Sequence, residues 1–100
     1  MNRHVTPILR ATFDTIAEAA SPPDPDEIVA GARARLGPAS VRVTDADIAA
    51  AVGSLLLAGF VRVTWDGAGL ERGTTPESAL TEEHEWTFWR ARRRMPKAAR

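Results

Sequence analysis

One hundred residues, 44% of them apolar and 26% charged, suit one folded domain with a modest core and argue against global disorder. No apolar run approaches twenty residues and no charged-then-apolar leader opens the chain, so a membrane span and a secretory signal are not expected. Cysteine is absent, which removes disulfides and thiolate ligands and fits a cytoplasmic protein. The net charge is zero, yet it is divided. Residues 1–89 hold seven Lys/Arg against thirteen Asp/Glu, and residues 90–100 hold six Lys/Arg and no acid. The sequence describes an acidic body with a basic end.

In chain order, Thr6-Pro7 opens a helix over about 6–20, with Leu9, Phe13, Ile16 and Ala20 along one stripe. Pro22 to Pro25 break it. Asp24 then caps a second helix whose first turn holds Asp26 and Glu27 and whose stripe is Ile28, Ala32 and Leu36. Gly37-Pro38 ends it. Val41-Arg42-Val43 reads as a short strand that needs a hairpin to pair with. Thr44 with Asp47 forms a capping pair for a third helix over 45–58, buried through Ile48, Val52, Leu55 and Leu56.

At Gly59 the apolar period changes from near 3.6 to 2, and a strand over 60–65 begins. Its alternation puts Val61, Val63 and Trp65 on one side, and Trp65 is expected to pack. Asp66-Gly67 is a hairpin signal. Two continuations compete. Thr75 can cap a helix beginning at Pro76, or 77–80 can be the returning strand with Thr81 capping a helix from Glu82. The second is preferred, because the first strand needs a partner. A last helix over 82–95 carries Trp86, Phe88 and Trp89 and ends at Pro96, leaving residues 97–100 as a disordered basic tail behind a single domain over 1–96.

The fold class expected is mainly α with a small antiparallel β-hairpin (α+β), in the order α-α-β-α-β-β-α. Leu56-Leu57-Ala58-Gly59-Phe60-Val61 is similar to the junction between recognition helix and wing of the winged helix-turn-helix superfamily. Leu80-Thr81-Glu82-Glu83-His84 is similar to its step into the last helix, with His84 where the pattern has Gly. The chain thus resembles bacterial regulators of the MarR and PadR type over about residues 6–95. The resemblance implies a small transcriptional regulator that binds double-stranded DNA through the third helix and the wing and forms a homodimer through the last helix.

Candidate DNA contacts are Thr44 at the start of the third helix and the arginines Arg33, Arg35, Arg42, Arg62, Arg72, Arg90, Arg92, Arg93 and Arg94. Against them, the third helix presents Asp45, Ala46, Ala49, Ala50 and Gly53, and none of these is a side chain that reads base edges well. A smooth face containing Ala50, Ser54 and Leu57 suits close approach of another helix. With Trp86 and Trp89 it makes up a candidate dimer or partner interface, so the alternative is a winged helix used for protein–protein contact, such as an accessory subunit or a phage- or defence-type inhibitor. The same face can instead pack within the domain, and either tryptophan can instead be core. The two histidines have no thiols beside them, and Glu83, His84 and Glu85, adjacent on a helix, do not converge on one ion. No phosphate loop or nucleophile elbow is present. No enzyme, metal or cofactor is expected.

Overall fold

In a computed structural model, which describes residues 7–94 apart from the Arg94 side chain, the chain is laid around helix α1 (Ile8–Ala17). The expected Thr6 cap, the end of the last helix at Pro96 and the 97–100 tail lie outside the described residues. Helix α1 is buried on most sides, through Ile8, Leu9, Thr12, Phe13 and Ile16 among others. It packs on α2 (Pro25–Leu36), α3 (Asp45–Leu57), strand β2 (Leu70–Arg72) and α4 (Glu82–Arg94). It is shorter than the period suggested. Ala20 is exposed, and the chain leaves the helix after Glu18 to enter the proline segment.

Helices α2 and α3 begin where their caps dictate. Asp24 accepts from the Glu27 backbone N–H while the Glu27 carboxylate accepts from Asp24 N–H, and Thr44 and Asp47 repeat the exchange on α3. Helix α3 buries Ile48, Ala51 and Leu55, and its Val52 and Leu56 are only partly covered.

Three expectations for the strands change. The 41–43 segment is no strand: Gly37–Arg42 winds into a 3₁₀ helix, with Pro38 in its first turn, and only Val43 is extended, buried in the core. The returning strand is β2, not 77–80. The Asp66 turn is tight, with Thr64 N–H donating to Gly69 O (2.9 Å), so the chain pairs at once with β1 (Val61–Val63). The register is Val61 with Arg72, Arg62 with Glu71 and Val63 with Leu70, and 77–79 becomes a second 3₁₀ turn. Third, Trp65 does not pack. It stands 98% exposed at the hairpin end, where the turn has already left the strand.

The described residues therefore form four α-helices and one two-stranded antiparallel sheet around a shared apolar cluster. No helix among the described residues is long and apolar enough to cross a membrane.

Candidate functional site

The arginines proposed for DNA contact are largely engaged with carboxylates of the same chain. On α2, Arg33 donates to Asp45 at the start of α3 and to Ser40 O (3.0 Å), and Arg35 pairs with Glu18 (2.7 Å). Across the hairpin, Arg62 meets its register partner Glu71 (2.7 Å). Arg72 pairs with Glu77 (3.4 Å) and lies over the Phe13 ring, 5.5 Å from its centre.

Arg92 is the most committed of them. Its Nε and one terminal nitrogen both reach Asp47 Oδ1 (3.2 and 2.9 Å), with the two side chains 26% and 14% exposed. Burial pushes the Asp47 carboxyl upward. The Thr44 backbone N–H, the Arg92 guanidinium and the Thr44 hydroxyl outweigh that effect and hold it below its ordinary value. The pair joins α4 to the amino end of α3, the end that a duplex would approach. Thr44 is likewise engaged, its hydroxyl accepting from Asp47 N–H (3.0 Å). Arg42, Arg90 and Arg93 remain exposed and form no ion pair with a described residue. Arg94 closes α4.

The smooth face of α3 is divided. Ala50 and Ser54 are half-buried and line a groove of about 510 Å³ against α4, beside Leu9, Phe60, Leu80 and Phe88. Ala46, Ala49, Gly53 and Leu57 stay exposed on the opposite flank, with Leu57 92% accessible. Of the two candidate tryptophans, Trp89 is the packed one. Its ring meets Phe88 edge-on (5.3 Å) and its Nε1 donates to Glu85 (3.2 Å). Trp86 is exposed, and Glu82, Glu83, Arg90 and Arg93 are exposed within a turn or two of it along α4.

A second groove, of about 280 Å³, lies between the start of α2, the half-covered flank of α3 and the hairpin. Val29, Ala49, Val52, Leu56 and Val63 line it, and Val63 is itself half-exposed.

Two residues have roles that the sequence did not signal. Glu85 is buried (7% exposed), and its carboxylate accepts from the backbone N–H groups of Leu9 and Arg10 at the open amino end of α1. Burial raises its pKa from the ordinary 4.5 to about 7, although those N–H groups and the Trp89 indole pull the other way. In sequence it is one acid in Glu82-Glu83-His84-Glu85, where acids at a helix start already have a reason to be. His84 completes the start of α4: Thr81 N–H donates to its Nδ1 (3.1 Å), the return bond that Glu27 and Asp47 make in their own helices. Its ring also stands edge-on to Phe60 (5.5 Å). Among the described residues no three of His, Asp and Glu converge to hold a metal ion.

Comparison of the chain with protein-family models, curated proteins and solved structures finds no match.

Proposed function

We propose that the chain is a protein-contact module on a winged helix-turn-helix-like scaffold, using the exposed flank of α3 and the hairpin to hold another protein. Support for the scaffold is the element order. Two helices lead to a capped third helix, a glycine elbow, an antiparallel hairpin and a closing helix, with a 3₁₀ turn in place of the strand before α3.

One observation carries the functional reading: the amino end of α3 is electrostatically closed. Asp45 and Asp47 occupy Arg33 and Arg92, and the free flank beside them is Ala46, Ala49, Gly53 and Leu57. Phosphate attraction supplies most non-specific DNA affinity, and base readout needs Arg, Lys, Asn or Gln, so this flank offers a duplex little. An alanine-rich flank ending in an exposed leucine offers more to an apolar protein surface.

The DNA-binding regulator is the second reading, favoured by the exposed Arg42, Arg90 and Arg93, which form no ion pair among the described residues. A labelled duplex of mixed sequence, titrated between about 50 and 200 mM salt, separates the two. A regulator bound through several phosphates loses roughly a thousandfold in affinity over that range. We expect no saturable binding even at the low-salt end. Steep salt-dependent binding, weakened further by Arg42→Glu with Arg93→Glu, would overturn the protein-contact reading. Arg92→Glu is the wrong probe, since it breaks the bond to Asp47 whatever the protein binds.

In either reading we propose a homodimer through the exposed face of α4. Glu82 and Glu83 precede Trp86 on that face, and Arg90 and Arg93 follow it. A second α4 laid antiparallel sets acids against arginines at both ends with Trp86 near the two-fold axis.

A further inference from the structure

We infer that the groove between α2, α3 and the hairpin receives a basic amphipathic helix of another protein. The inference deepens the protein-contact reading and rests on it.

The groove wall is aliphatic. Val29 from α2, Val52 and Leu56 from α3 and Val63 from β1 face it, and Gly67 and Ala68 leave room at the hairpin end. These α3 residues belong to the apolar stripe of the helix, yet they are only half-covered by the chain itself. Trp65 stands almost wholly in water two residues along the hairpin from Val63. An apolar trough with an uncovered aromatic beside it is the surface that an amphipathic helix uses, seating anchors spaced three or four residues apart.

Charge chooses among helices. Asp24 and Asp26 flank Pro25 at the α2 end of the groove, and Asp66 precedes Gly67 at the hairpin end. All three are exposed and form no ion pair among the described residues. The Asp66 carboxylate accepts from Thr64 Oγ1 and Ala68 N–H, bonds that keep its pKa below the ordinary value and the group ionised. The nearest arginines on the same elements, Arg33 and Arg62, are matched by Asp45 and Glu71. The unbalanced charge at both ends of the trough is negative, so a helix with lysine or arginine flanking its apolar stripe is favoured and an acidic one repelled. The α3–α4 groove offers less to select by charge, since Arg92 in its lining is matched by Asp47 and Glu83 is its single acid.

The test uses the full chain and two dye-labelled synthetic amphipathic helices with identical leucine spacing, one Leu/Lys and one Leu/Glu, followed by anisotropy. The Leu/Lys helix is expected to bind saturably, one per chain, and more weakly at high salt, while the Leu/Glu helix does not bind. Ala49→Lys places a cation in the groove at an exposed helical position that tolerates lysine, and Val63→Lys does the same from the hairpin. At least one of them should weaken binding by about tenfold or more. Equal binding of both peptides, no binding of either, or two lysine variants that bind like wild type overturns the inference. So does a protein that is dimeric by sedimentation and dissociates on Ala49→Lys, because the groove would then be filled by a second copy. If the duplex titration shows steep salt-dependent DNA binding, the protein-contact reading itself fails. If no duplex binds and the Leu/Lys helix does not either, only the groove assignment fails.

Discussion

Glu85 concentrates two opposed effects in one carboxyl group. Its oxygens receive backbone N–H groups from the start of α1 and the indole N–H of Trp89, a setting that suits an anion. Burial works against the anion and prevails, with the pKa raised to about 7. The consequence for stability has a definite sign. Between about 4.5 and 7 the folded chain holds a proton that the unfolded chain has released, so this group's contribution is complete at the acid end and is lost as pH rises through 7. A shift of this size corresponds to about 3 kcal/mol. Urea unfolding of Glu85→Gln should therefore show a flatter stability profile from about pH 5 to 8 than the wild type, because glutamine keeps the shape and cannot ionise. Parallel profiles would show that Glu85 titrates normally.

The elbow after α3 is the element on which the hairpin depends. Gly59 takes φ of 83°, and its carbonyl accepts from Thr75 N–H (3.0 Å) while the neighbouring Phe60 carbonyl accepts from Gly73 N–H (2.8 Å). A Cβ on Gly59 would sit 2.6 Å from Thr75 Oγ1, and a Cβ on Gly73 would collide with the Gly59 backbone. Gly59→Ala should cost about 1–3 kcal/mol, read as a lower urea midpoint, from the unfavourable φ together with the Thr75 contact. A midpoint equal to the wild type would mean that the elbow relaxes without cost.

Features local to a few residues were the legible ones. The Asp24 cap, Thr44 with Asp47 and the helix-to-strand change at Gly59 are spelled within four residues or so, and the fold uses each as its spacing suggests. Val41-Arg42-Val43 misleads because β-branched residues favour strands only in context: the 3₁₀ winding that starts at Gly37-Pro38 runs through Arg42, and the segment pairs with neither strand of the hairpin. The return strand is not legible in Leu70-Glu71-Arg72, which has little strand character of its own and is chosen by the tight turn before it. Arg92 with Asp47 and Glu85 with Leu9 join residues 45 and 76 apart, and no spacing rule reaches that far.

At the scale of the whole molecule, the charge division seen in the sequence is partly cancelled by folding. Arg92 turns inward to Asp47, and the basic half of α4 keeps Arg90 and Arg93 for outside contact, behind an acidic first turn. That arrangement is self-complementary only when two α4 helices run antiparallel. A 13-residue helix is about 20 Å long, so one helix face falls short of the roughly 800 Å² per partner of a standard interface. The proposed dimer is therefore weak, with a dissociation constant of micromolar order or above and a dependence on salt. Sedimentation over a rising concentration series should show mass moving from monomer towards dimer, less so in high salt. Trp86→Ala should hold the chain at monomer mass with its unfolding midpoint little changed, since Trp86 is exposed. Trp89→Ala, by contrast, removes a packed ring and the partner of Glu85, and should lower the midpoint first. A wild type that stays monomeric at millimolar concentration, or a Trp86→Ala variant that dimerises as well as its parent, would remove α4 as the seam.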